Sequence, residues 1–149
     1  MQDSSIFSQL VGKTITRIDT IEEYWDNVAK RYNRKKVPLD ILASPLELEF
    51  ETSDGKTFLM YHEQDCCESV FLSDIAGDID DILNTPIIRA EVVESTDEQI
   101  RPNESECCGG SETWTFYKID TAKGGVTLRW FGSSNGWYSE EVTFRELTD

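Results

Sequence analysis

Apolar and polar positions alternate most cleanly between residues 46 and 60, in LELEFETSDGKTFLM. Leu46, Leu48 and Phe50 alternate with Glu47, Glu49 and Glu51, Asp54-Gly55 supplies a turn, and Phe58 and Met60 resume the apolar face. A period of two interrupted by Asp-Gly predicts a β-hairpin. Continuing that period sends His62 to the side of Phe58 and Met60 and turns Tyr61 away from it. The same pattern predicts strands at 12–18, 69–75, 87–93, 113–119, 125–131 and 138–144. TAKGG would join the 113–119 and 125–131 strands, and Asn135-Gly136 would close a second hairpin onto 138–144.

Two stretches follow a longer period. Thr20-Ile-Glu-Glu23 has the form of a capping box, and Ile21, Tyr24, Trp25, Val28 and Tyr32 then recur at three- and four-residue steps. They predict an amphipathic helix over 21–33, with its basic tail KRYNRKK at the negative helix end. In SDIAGDIDDILNTP, the residues Ile75, Ile79, Ile82 and Leu83 fall on one side, which predicts a short helix ending before Pro86. The expected fold is therefore α+β: one domain over 1–149, a mainly antiparallel sheet of about six strands, and two helices on one face. Residues 95–112, with little apolar periodicity and with Pro102, Gly109 and Gly110, are expected to form an acidic mobile loop.

Charge changes the picture most. The 149 residues carry 14 Lys and Arg against 29 Asp and Glu, a net charge of −15. Such a surface repels phosphate backbones and anionic lipid, so no direct nucleic-acid or membrane binding is expected, and basic partners or cations are favoured. The charge is uneven. Residues 13–36 hold seven basic against four acidic side chains, whereas 61–112 hold fourteen acidic against Arg89 and Arg101 alone. The start MQDSSIFSQLVGK has neither a basic head nor a continuous apolar run, so a cytoplasmic setting is expected. In that reducing setting four cysteines would be thiols, metal ligands or buried small groups.

Those cysteines stand as two adjacent pairs, Cys66-Cys67 in YHEQDCCESV and Cys107-Cys108 in ESECCGG, with the single histidine, His62, near the first. His62, Cys66, Cys67, Cys107 and Cys108 form a candidate metal set, with Asp65 or Glu68 in support, and zinc is the ion it would suit. Against it, zinc sites usually separate paired cysteines by two residues, and adjacent side chains in extended backbone point to opposite faces. The same limit makes adjacent cysteines poor disulfide partners for each other, whereas a bridge between the two pairs is feasible. A Cys nucleophile with His62 as base and Asp65 or Glu68 to orient the ring is the enzymatic reading. The surrounding carboxylates oppose it by disfavouring a thiolate, and no catalytic residues are assigned.

The blocks MYHEQDCCESV, SDIAGDIDDILNTPI and SETWTFYKIDTAKGGVTLRWFGSSNGWYSEEV, together spanning about 46–144, resemble a family of small uncharacterised proteins of bacteriophages, prophages and their hosts. The positions that carry the likeness are Tyr61, His62, Gln64, Asp65, Cys66, Cys67 and Glu68, then Trp114, Phe116, Tyr117, Arg129, Trp130, Ser134, Asn135, Gly136 and Tyr138. The resemblance implies a phage or mobile-element setting and carries no activity. The leading expectation is an acidic accessory protein that binds a protein partner, such as a basic nucleic-acid-binding host protein. Glu94, Asp97, Glu98, Glu104 and Glu106 would steer that partner, and Asn135, Trp137 and Tyr138 would form an aromatic rim. The second expectation is a metal- or thiol-dependent protein built on His62 and the cysteine pairs.

Overall fold

The computed structural model describes residues 4–39, 45–96 and 111–147. Among the described residues nine strands form two antiparallel sheets: β1 (Ile15–Asp26), β2 (Arg31–Pro38), β3 (Glu47–Thr52), β4 (Thr57–Tyr61), β5 (Ser69–Ala76), β6 (Ile87–Thr96), β7 (Ser111–Thr121), β8 (Gly124–Ser134) and β9 (Thr143–Glu146). The first sheet runs β2-β1-β3-β4-β9 and the second β5-β8-β7-β6. Helical structure among the described residues is confined to α1 (Ser4–Ser8) and a 3-10 turn at Ile79–Ile82. The α+β expectation, with two helices covering one sheet, is thereby overturned in favour of a nearly all-β protein.

The hairpin at 46–60 forms in register, with Leu48 opposite Met60 and Phe50 opposite Phe58. Strands β7 and β8 likewise pair through the tight turn between Thr121 and Gly124. The expected helix over 21–33 is a second hairpin, β1 against β2, in which Trp25 lies opposite Tyr32 and their rings meet edge to face at 5.2 Å. Asp26 ends β1 by accepting hydrogen bonds from the backbone of Val28 and Ala29 and from the Asn33 amide. Lys30 then takes a left-handed conformation, φ 57°, which reverses the chain. Aromatic side chains in cross-strand contact favour this arrangement over a helix. The second expected helix reduces to the 3-10 turn, its start capped by Asp78, whose side chain accepts from Asp80 N.

One further expectation fails. Residues 138–144 do not return along β8; only Thr143–Glu146 is strand, and it pairs with β4 in the other sheet. Asn135-Gly136 is a turn, with Gly136 at φ 95°, but it starts a crossing between sheets instead of closing a hairpin.

The two sheets face each other across one core. Ile18, Leu48, Phe50, Phe58, Met60 and Phe144 come from the first sheet, and Val70, Leu72, Tyr117, Ile119, Val126, Leu128 and Trp130 from the second. Phe7 and Leu10, in and after α1, close one side. Phe144 contacts Phe7, Phe50 and Phe58 at ring separations of 5.1, 5.8 and 5.4 Å. Trp130 is fully buried and its indole N–H points at the Met60 sulfur, 3.1 Å away. Burial of each such large side chain contributes roughly 1.5–3 kcal/mol. The outer face of the first sheet is ionic, with Lys36 bridging Glu49 and Glu51 across β1.

Candidate functional site

Register places several strand ends together at one end of the sandwich. Glu47 at the start of β3 lies opposite Tyr61 at the end of β4, and Tyr61 opposite Thr143 at the start of β9. In the second sheet, Ser69 at the start of β5 lies opposite Ser133, and Ser111 at the start of β7 opposite Ser134. The β4–β5 connection carrying YHEQDCCES and the β8–β9 connection carrying NGWYSEEV therefore share this end. Both connections switch sheets.

The first connection is organised by a buried acid–base pair. The side chains of His62 and Glu68 are 4% and 0% exposed, with His62 Nε2 2.6 Å from Glu68 Oε2. The other ring nitrogen, Nδ1, lies 2.6 Å from the carbonyl oxygen of Glu141 in the second connection. Each nitrogen thus has a hydrogen-bond partner from a different connection. Glu68 also accepts backbone hydrogen bonds from Asp65 N at 2.8 Å and Cys66 N at 3.0 Å. The His62 hydrogen bond is the main cause that pulls the Glu68 carboxyl down to about 2, with the Cys66 and Asp65 amides assisting against burial. His62 consequently ties the two connections together. Tyr61 turns to the opposite face, where its hydroxyl accepts from Arg145 Nε at 3.1 Å.

Cys66 and Cys67 are joined to each other by a disulfide, contrary to the expectation that adjacent cysteines pair poorly. That expectation assumed extended backbone. The chain bends at 66–67 around the Glu68 carboxylate, so the alternation of side chains does not apply there. Cys107 and Cys108 lie outside the described residues, as do Asp97, Glu98, Glu104 and Glu106. Among the described residues no group of three or more histidine, cysteine or carboxylate side chains could hold a metal ion. His62 is committed to Glu68 and Glu141.

The second connection is held by a buried carboxylate. Glu140, 8% exposed, accepts from Thr113 Oγ1 at 2.7 Å, from Ser134 Oγ at 2.6 Å and from Ser111 Oγ. Its backbone passes so close to β8 that a Cβ on Gly132 would lie 2.9 Å from Glu140 Cβ. Ser134 also accepts from Gly136 N, and Asn135 Oδ1 accepts from Trp137 N, which sets the turn. On that turn Trp137 is 86% exposed, Asn135 is exposed and Tyr138 is half-buried. Glu140 had no place among the expected site residues. Its sequence signal was Gly132, a glycine inside an aromatic strand, which marks the close approach of another backbone.

Between the two connections lies a cleft of about 370 Å³ lined by His62, Glu63, Gln64, Asp65, Ser139, Glu141 and Thr143. Among the described residues the lining carries Glu63, Asp65 and Glu141 and no lysine or arginine. Glu94 near the end of β6 belongs to the same field: burial and the negative charge of Glu141 push its carboxyl above the ordinary value. A concave site crowded with carboxylates favours a cation.

The fold and site define a two-sheet β protein whose sheet-switching loops build an acidic cleft. The profile of a domain of unknown function, DUF7448, matches residues 8–144, and the chain belongs to that family. No curated protein and no solved structure matches the chain. No helix among the described residues is long and apolar enough to cross a membrane.

Proposed function

We propose that the chain is a non-enzymatic binding protein whose acidic cleft receives a cationic side chain of a protein partner. The observation that carries the reading is the lining itself, which among the described residues holds Glu63, Asp65 and Glu141 and no lysine or arginine. Trp137, solvent-exposed two residues before Ser139 of the cleft wall, supplies an aromatic anchor beside it. Aromatic anchors carry a large share of interface energy, and the surrounding charge selects the partner and speeds encounter. Glu94 extends the same negative field toward a basic partner, and Asp97, Glu98, Glu104 and Glu106, outside the described residues, add to the acidity of the chain. The resemblance to phage and prophage proteins supports a nucleic-acid-binding host protein as that partner.

The test is titration of the protein with a short oligolysine peptide, followed by tryptophan fluorescence and by calorimetry. Binding weakened about tenfold or more by Glu63→Gln with Glu141→Gln supports the reading, since a lost close charge pair at an interface is worth upward of about 1.5 kcal/mol. Equal binding by wild type and this variant, or none by either, rejects it.

A further inference from the structure

The same chain carries a positive element of matching size. Beyond Thr20, the last residue of β1 paired with β3, six further residue pairs of β1 and β2 continue from Ile21–Lys36 to Asp26–Arg31. At about 3.3 Å per residue this ribbon extends roughly 20 Å past the sheet. Residues 22–36 hold five Lys and Arg against three Asp and Glu, so the ribbon is net positive in a chain of net charge −15. Its base is neutralised: Arg34 pairs with Glu47, and Lys36 with Glu49 and Glu51. Its outer part is not. Lys30 and Arg31 sit at the tip without an ion pair among the described residues, and Lys35 lies 5.4 Å over the Tyr24 ring. Tyr24, Trp25, Val28 and Tyr32 are 42, 47, 93 and 69% exposed. A two-stranded ribbon with such a surface and no core beneath it is marginal in isolation, and it is built to lie against something.

The direction of the ribbon decides what. It leaves the first sheet at the end where Leu48, Met60 and Phe144 lie one residue inside the strand ends Glu47, Tyr61 and Thr143, and so flanks the end that bears the acidic cleft. We infer that the ribbon is the arm of a two-fold homodimer, the tip cations Lys30 and Arg31 of each copy seating in the acidic cleft of the other. Because arm and cleft share one end, a single two-fold axis satisfies both contacts, and the assembly closes as a dimer without growing into a filament. Trp25 and Tyr32 then cover apolar surface at the contact, as interface aromatics do. The inference rests on the cleft accepting cationic side chains, and it names the cation as the chain's own.

The test is charge exchange, read by analytical ultracentrifugation from micromolar to millimolar protein. The wild type is expected to dimerise. The arm variant Lys30→Glu with Arg31→Glu, and the cleft variant Glu63→Lys with Glu141→Lys, are each expected to weaken self-association by at least about tenfold. An equimolar mixture of the two variants restores dimers, since each arm then meets a cleft of opposite sign. Circular dichroism confirms that the exchanged, largely surface positions leave the fold intact. A wild type that stays monomeric, or dimers indifferent to both variants, overturns the arm assignment. A monomer that still binds oligolysine leaves the cleft reading standing, whereas a monomer that instead binds a labelled single-stranded oligonucleotide through Lys30 and Arg31 rejects the dimer and assigns the arm to nucleic acid.

Discussion

Glu140 is the most exacting point at which to test how the site is held. Its carboxylate takes hydrogen bonds from Ser111, Thr113 and Ser134, and a hydrogen bond to a charged acceptor contributes about 1.5–3 kcal/mol. Truncation to alanine removes all three. The hydroxyls recover part of the loss, because Ser111 Oγ and Ser134 Oγ lie 3.4 Å apart and can pair with each other. The expected cost of Glu140→Ala is therefore about 2–4 kcal/mol, and of Glu140→Gln, which keeps one acceptor oxygen, about 1–2 kcal/mol. With a urea dependence of about 2 kcal/mol/M, the alanine variant should unfold about 1–2 M earlier in urea. A double-mutant cycle with Thr113→Val separates this from general loosening: the paired variants should lose less than the sum of the single losses. A Glu140→Ala protein within about 0.5 kcal/mol of wild type, the range of neutral surface changes, would refute the idea that this carboxylate anchors the β8–β9 connection.

Other consequences can be checked on the same protein. Gly132→Ala should destabilise by about 1–3 kcal/mol, measured by urea unfolding, because the added methyl meets the Glu140 backbone and Val70. The folded Glu68 carboxyl titrates near 2 against an ordinary value of 4.5, so its contribution to stability is complete above about 4.5 and lost as pH falls toward 2. Unfolding curves of Glu68→Gln should lack that part of the acid dependence; a wild-type slope in the variant counts against the pairing with His62. Trp137→Ala should leave the urea midpoint unchanged within about 0.5 kcal/mol while weakening oligolysine binding.

Where alternation reported a face of the core it located strands, although over 138–144 only Thr143–Glu146 became one, and where spacing alone was available it did not discriminate. Leu48, Phe50, Phe58 and Met60 pack one side of a core, so their two-residue period reports real burial. Trp25 and Tyr32 are seven residues apart, a distance that equals two helical turns and also places them opposite each other across a four-residue turn. The period therefore could not separate helix from hairpin. Residue type could: Ile21, Tyr24, Trp25, Val28 and Tyr32 are β-branched or aromatic, and Asp26-Asn27 are turn formers in the middle of the supposed helix. Thr20 imitated a capping residue but is buried in the sheet, 2% exposed. The acidic excess was visible as composition, yet its concentration into a cleft depends on Glu63, Asp65 and Glu141 arriving from two connections, a property of strand order that no local pattern encodes.

His62 shows where reading by alternation ends. The period of two correctly buried its ring and turned Tyr61 toward Arg145, because both residues still belong to the β4 pleat or its immediate continuation. One residue later the chain leaves the sheet, and from there the governing constraint is electrostatic. A buried histidine needs a hydrogen-bond partner for each of its two ring nitrogens. Glu68 supplies the first from six residues ahead and Glu141 the second from seventy-nine residues away. Glu68 in turn gathers the amides of Asp65 and Cys66, which bends the cysteine pair and leaves Glu63 and Asp65 on the cleft wall. The histidine thus acts at one remove from any ligand: by hydrogen-bonding a buried carboxylate and pinning the β8–β9 connection, it sets the positions of the carboxylates that line the cleft.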